Sequence, residues 1–336
     1  MERPSEPLAA PFKPGRAGRL AQAALLYLAL GGLLAYALRG VPLDSIRRAL
    51  SALSLAQIGA LLALNVAVIL LMALRWWLVA RAEAPGLPFL PLVGARLAVF
   101  GISYFTPGPQ VGGEPLQILA LQRGQGMSFA RAAATLILDK LLELLGNFLF
   151  IGFGLLAFLR LGRLAEIPLW AWLPLALLLL WPALHLLLLR GGMRPLSLLL
   201  GAARPSRRRH RWMRLLAVSE SLAGSFTRRH PFHLLGALAA SLLCWSGMTL
   251  EYMLILNFLG LHPDLWQGLF GLTASLLAFL LPLPGGLGAL EASQVAALGS
   301  LGYPAALALS VTLVMRARDL LNGGLGLLIA PRWLRR

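Results

Sequence analysis

Charge is scarce in this chain, and negative charge scarcer still. Only 13% of its 336 residues are Asp, Glu, Lys or Arg, and 13 acidic residues stand against 30 basic ones. Soluble domains usually carry about 25% charged residues, so an ordinary water-soluble domain is excluded. A single cysteine, Cys244, excludes an intrachain disulfide framework. No Gly-Lys-Ser/Thr phosphate loop occurs, which argues against ATP drive within these residues. Gly286-Leu287-Gly288 with Glu291 has a faint likeness to a dinucleotide loop, but no strand precedes it. His185, His210, His230, His233 and His262 lack the spacing of metal ligands. No Ser/His/Asp or Cys/His set can be assembled. Neither a metal, nor a cofactor, nor enzymatic activity is expected.

What is plentiful is apolar. The chain is 58% hydrophobic with a mean hydropathy of +0.76. Runs of roughly 20 apolar residues, enough to cross a hydrocarbon core of about 30 Å, recur along it. The expected fold is an all-α polytopic membrane protein with about six spans, at residues 20–38, 55–79, 128–158, 168–189, 232–259 and 303–330. Two further regions, 89–123 and 265–300, are apolar but cut by Pro/Gly breaks. Each half is too short for a full crossing, so two re-entrant helical hairpins are expected; if both halves cross, there are eight spans. Residues 1–19 form a polar, Pro-rich arm, and residues 20–38 lack a clear cleavage site and are expected to be a retained first helix. The domain expected is single, over 20–330, followed by a short tail at 331–336.

The two breaks resemble one another. The first runs Thr106-Pro107-Gly108-Pro109-Gln110-Val111-Gly112-Gly113-Glu114, the second Leu281-Pro282-Leu283-Pro284-Gly285-Gly286-Leu287-Gly288-Ala289-Leu290-Glu291. A gapless shift of 177 positions superimposes Pro107-Gly108 on Pro284-Gly285, Glu114 on Glu291, Gln117 on Gln294, Thr135-Leu136 on Thr312-Leu313 and Gly146 on Gly323. The repeat units are about 89–158 and 265–330. Paired, interrupted apolar segments in two halves of a membrane protein point to a transport site.

The net charge of +17 raises nucleic acid as a partner, but its distribution argues against one. Arginine heavily outnumbers lysine and clusters over 190–229, including Arg207-Arg208-Arg209 and Arg211, and in the tail at Arg332, Arg335 and Arg336. Basic loops mark the cytoplasmic face and attract anionic headgroups at about 1 kcal/mol per residue. Placing the N-terminal arm, residues 75–81 and 123–131, the basic loop of about 190–231 and the tail inside leaves Arg160 and Arg163 as a mild exception outside. Both termini are then cytoplasmic, the first hairpin enters from inside and the second from outside, and the repeat is inverted. Within 204–229, Trp212, Leu215, Leu216, Val218, Leu222 and Phe226 recur at helical spacing, as in an amphipathic helix on the inner leaflet or a solvated basic loop.

Ionisable groups within spans cost about 2.5–3.5 kcal/mol each on insertion scales and are functional candidates. The third span carries Asp139, Lys140, Glu143 and Asn147; Asp139, Glu143 and Asn147 share a face, and Lys140 can pair with Glu143. The last span carries Arg316, Arg318, Asp319 and Asn322; Arg316 shares a face with Asp319, and Arg318 can reach Asn322. Glu251 adds an acid and Arg96 a base. Glu114 and Glu291 each sit where a broken helix restarts, a place that suits a carboxylate. Pro107, Gly108, Gly112, Gly113, Pro284, Gly285, Gly286 and Gly288 permit the sharp turns. The plainer alternatives are mutual neutralisation of the charges, local capping by the two glutamates and tight helix packing at the glycines.

Several elements together resemble the flippase-like transmembrane domain of bacterial lysylphosphatidylglycerol synthases. They are Arg75-Trp76, the Thr-Pro-x-x-x-Gly-Gly-Glu stretch ending at Glu114, Asp139-Lys140-x-x-Glu143, the Leu-Pro-x-Pro-Gly-Gly-Leu-Gly-x-x-Glu stretch ending at Glu291, and Arg316. The resemblance covers about residues 20–330 and implies lipid translocation by an inverted-repeat fold. Family members fused to a soluble aminoacyl-transferase carry it after the last span, where only residues 331–336 stand here, so synthesis of the lysyl lipid is not expected. The expected function is a flippase of the inner (plasma) membrane for a phospholipid, anionic or aminoacylated, or another lipid-linked amphiphile. In that reading the hairpins form a polar seam, Lys140, Arg316 and Arg318 receive phosphate, and Glu114, Asp139, Glu143 and Glu291 balance charge, bind an amine-bearing headgroup or carry protons. The alternatives are an accessory or transferase in lipid-linked glycan or envelope biosynthesis, and a small-solute secondary transporter.

Overall fold

The computed structural model describes residues 43–106, 112–162, 172–201, 207–281 and 283–334. The predicted first span, together with Pro107 and Gly108, lies outside the described residues. In chain order the helices are α1 (Leu43–Ser51), α2 (Leu55–Glu83), α3 (Phe89–Phe105), α4 (Glu114–Gln125), α5 (Phe129–Arg160), α6 (Trp172–Arg190) and α7 (Pro195–Gly201). They continue with α8 (Arg207–Arg229), α9 (Pro231–Phe258), α10 (Leu265–Phe279), a 3-10 turn at Pro284–Gly286, α11 (Ala289–Ser300), α12 (Ala305–Ile329) and α13 (Pro331–Leu334). No strand occurs among the described residues. The all-α polytopic class stands.

Local sequence sets the helix starts. Ser54 and Gln57 form a reciprocal capping box on α2, Asp264 and Gln267 another on α10, and Ser128 accepts from the Arg131 amide at the head of α5. Three described helices, α2, α5 and α9, are long and apolar enough to cross a membrane by length and composition. At 1.5 Å per residue, the 29, 32 and 28 residues of α2, α5 and α9 exceed the ~30 Å core. The last predicted span is α12, whose 25 residues include Arg316, Arg318 and Asp319.

Both predicted interruptions are real. In the first, α3 ends at Phe105 and α4 restarts at Glu114. In the second, α10 ends at Phe279, and Gly285, Gly286 and Gly288 all take left-handed φ values of 55°, 62° and 78° before α11 begins. Residues with a Cβ resist that region, so this run of glycines makes the turn. The starts of α3, α4 and α5 map onto those of α10, α11 and α12 within two residues at the 177-residue offset. Packing is reciprocal as well: α3 lies on α12, α10 lies on α5, and each short α4 or α11 lies on the long helix that follows it. A two-fold relation between repeats produces that exchange.

The joint between α3 and α12 is a close backbone approach. A Cβ on Gly101 would stand 2.6 Å from the Gly323 carbonyl oxygen, and one on Gly326 would meet the Leu97 carbonyl oxygen. Small residues let backbones approach where no hydrophobic drive exists between membrane helices. Along the other wall, α2 packs on α9, with Gly247 admitting Val68.

The basic segment over 190–231 is helical, and only part of it behaves as read from the sequence. In α8, Phe226 is buried as expected, but Val218 is exposed, and the inward face is Ser219, Glu220, Ala223, Phe226 and Thr227. That face packs on α5 and α6 within the protein. Glu220 explains the difference. It accepts hydrogen bonds from the Leu196 and Ser197 amides at 2.8 Å, and from the Ser197 hydroxyl, so α7 is held to α8 by a buried carboxylate.

Candidate functional site

The charges within the bundle fall into three groups. The first joins α2, α3 and α5. Arg75 on α2 donates from Nε to Asp139 Oδ1 at 2.8 Å and from Nη2 to Glu143 Oε2 at 2.6 Å. Arg96 on α3 donates to the same two acids at 3.2 and 2.8 Å. Gln117 on α4 adds a bond to Asp139 Oδ2 at 2.9 Å. Lys140 lies 3.2 Å from both Glu143 and Glu114. Asp139 and Glu143 do share a face, as their spacing required, and that face is closed by two guanidiniums. Asn147, one turn further, instead accepts from Trp245 Nε1 at 3.1 Å.

The second group fastens the second break. Arg316 donates to both oxygens of Glu291, and to the Gly285 and Gly286 carbonyls at 3.0 and 3.2 Å. Glu291 also accepts from the Gly288 amide at 3.0 Å, as Glu114 accepts from the Gly112 amide at 2.7 Å. The two glutamates are therefore caps and ion-pair partners at once. Each repeat ties its break to its own long helix with one salt bridge, Glu114–Lys140 or Glu291–Arg316.

The third group is Arg318, Glu251 and Asp319. Arg318 donates to Glu251 Oε2 at 2.9 Å and lies 2.8 Å from Asp319 Oδ1. Arg316 and Asp319, which share a face, form no ion pair, because Arg316 is occupied by the break; nor does Arg318 bond to Asn322 among the described residues.

The third group, with Arg96 of the first, lines a pocket of about 60 Å³ between α2, α3, α9 and α12. Its polar lining is Asn65, Arg96, Glu251, Arg318, Asp319 and Asn322, and its apolar lining includes Met72, Phe100 and Met248. Arg96 forms one wall and joins the pocket to the first group. Asn65 and Asn322 are 6% and 7% exposed, and neither carboxamide makes a hydrogen bond to another described residue. Both carboxamides line the pocket, where a polar ligand or water can meet them.

The pocket is not where the sequence placed it. A seam between the two hairpins was expected, and the breaks do approach, since a Cβ on Gly285 would stand 2.9 Å from Tyr104 at the end of α3. The cavity, however, is walled by one hairpin helix and three long helices. Of the predicted charged residues, Arg318 and Asp319 line it. Asp139 and Glu143 stand behind Arg96. Glu114, Lys140, Glu291 and Arg316 serve the breaks. Gly112 and Gly113 lead into α4, Pro284 to Gly286 form the 3-10 turn and Gly288 precedes α11. Asn65 was missed altogether; a lone Asn ten residues before Arg75 on the same buried stripe of α2 was the available signal.

An all-helical bundle with apolar spans and buried charges defines a polytopic integral membrane protein. More specifically, the chain belongs to the family described as lysylphosphatidylglycerol synthase TM region, which it matches over residues 19–325. Membership points to work on membrane lipids. Neither a curated protein nor a solved structure matches the chain.

Proposed function

We propose that this protein translocates a lipid between leaflets, passing the polar headgroup through the Asn65–Asn322 pocket while the acyl chains stay in the bilayer. The observation that carries this is a pair of carboxamides that line the pocket, have no partner among the described residues, and stand beside two guanidiniums inside a bundle of a lipid-related family. Carboxamide N–H groups and a guanidinium fork suit phosphate oxygens. At about 60 Å³ the pocket is far smaller than the roughly 300–1,000 Å³ of ordinary ligand sites. Translocation in this reading requires the walls to part, and the rigid α3–α12 glycine joint is the element against which α2 and α9 would move.

The cargo in this account is a phospholipid, anionic or aminoacylated, or another lipid-linked amphiphile, and it is moved without chemical change. The protein sits in the plasma membrane with cytoplasmic termini and inverted repeats, a topology that the basic loops favour. The small volume is the one observation favouring a small-solute transporter instead.

Reconstitution tests the proposal. Vesicles containing headgroup-labelled phosphatidylglycerol are treated with a membrane-impermeant quencher, with and without protein. Exchange well above that of empty vesicles is the expected result. Rates equal to empty vesicles across anionic, zwitterionic and aminoacylated headgroups, alongside uptake of a soluble phosphate ester, contradict it.

A further inference from the structure

In the charge groups around the pocket and the breaks, six carboxylates meet five cations, and the imbalance is local. Glu114, Asp139 and Glu143 face Lys140, Arg75 and Arg96, and Glu291 faces Arg316. Glu251 and Asp319, by contrast, share Arg318 alone. Both acids are buried, at 2% and 4% exposure, and both line the pocket beside the unpartnered carboxamides of Asn65 and Asn322. The other charged or titratable groups near the pair are Arg316 on α12 and Arg96 and Tyr104 on α3. Arg316 is saturated by Glu291 and two carbonyls, and Arg96 by Asp139 and Glu143.

We propose that Glu251 and Asp319 form a proton site that couples to the headgroup through Arg318. This rests on the lipid-translocation reading. A phosphate entering the pocket competes for the Arg318 fork, which now spends Nε and Nη2 on Asp319 and Nη1 on Glu251. If Arg318 turns to the phosphate, two neighbouring carboxylates lose the ion-pair partner they share. Close carboxylates in such a setting do not both stay ionised. One proton therefore enters onto a carboxylate oxygen as the phosphate binds, and it leaves when the headgroup departs and Arg318 returns. No bond of the lipid is made or broken. A phosphate monoanion with one proton carries no net charge, so a pH gradient drives the cycle and membrane potential does not. Glu114 and Glu291, the acids most open to such a role on sequence grounds, each have a cation and a backbone amide of their own.

The test is the leaflet distribution of headgroup-labelled phosphatidylglycerol in phosphatidylcholine proteoliposomes under an imposed pH gradient. One proton per lipid predicts accumulation toward the alkaline side of up to about tenfold per pH unit, abolished by a protonophore. Glu251→Gln should erase the bias, whereas Glu114→Gln should retain it. If Glu251→Gln does not fold, the wild-type distribution decides alone. Fast exchange with an even distribution under the gradient overturns the proton site and leaves translocation standing. Exchange no faster than in empty vesicles overturns both.

Discussion

The acid clusters of α5 and α12 occupy corresponding places in the two repeats and have diverged in kind. On α5, Asp139 and Glu143 are clamped by Arg75 and Arg96, charge is balanced, and Asp139 is fully buried. At the position aligned with Asp139, α12 carries Arg316, which turns away to hold a backbone break. Asp319 of the second repeat and its neighbour Glu251 on α9 are left with one guanidinium and an adjoining cavity. One repeat has made its charges into a joint, and the other has kept them open. A closed ion cluster is a structural element whose members cannot be removed singly. An open one with surplus charge and idle carboxamides is where a ligand acts.

Mutations can break that contrast, beginning with the largest effect. Asp139→Ala leaves two buried guanidiniums with the single carboxylate of Glu143 between them and should destabilise the fold by about 3–5 kcal/mol, read as a large drop in the melting temperature of the purified protein in detergent. A change below about 1 kcal/mol would show that the cluster is not a joint. At the cross-repeat crossing, Gly326→Val forces a side chain into the Leu97 carbonyl and should cost roughly 1–3 kcal/mol by the same measurement. The breaks offer a sharper comparison. Glu291→Gln strips the charge partner from Arg316, which is 1% exposed, and should cost about 2 kcal/mol. Glu114→Gln disturbs a pair whose members are 19% and 29% exposed, and should cost less than about 1 kcal/mol. Equal losses at the two sites would remove the proposed difference in how firmly the hairpins are tied.

Much of the frame was legible in the sequence because it depends on local chemistry. Apolar length gave the long helices, and Pro/Gly runs gave both breaks, since backbone turns leave their mark in the residues that make them. The 177-residue repeat foretold matching starts for α3–α5 and α10–α12. Pairings across the bundle were not legible. Lys140–Glu143 was, being one turn apart on a helix, but Arg75 with Asp139 and Arg318 with Glu251 join residues 64 and 67 positions apart. Arg316 was assigned to the ligand because nothing local says that a guanidinium on α12 will find the carbonyls of a turn 30 residues earlier. Asn65 escaped notice because one uncharged polar residue hardly disturbs an apolar run; its meaning comes from Asn322 on the facing helix.

The most direct measurement is phosphatidylglycerol exchange in proteoliposomes containing the Asn65→Leu/Asn322→Leu double variant, matched to wild type in reconstitution and melting temperature. Replacing unpartnered carboxamides with apolar groups of similar size should leave stability within about 1 kcal/mol, while exchange falls at least tenfold toward that of empty vesicles. Wild-type exchange from an equally stable double variant would contradict the claim that the headgroup passes through this pocket.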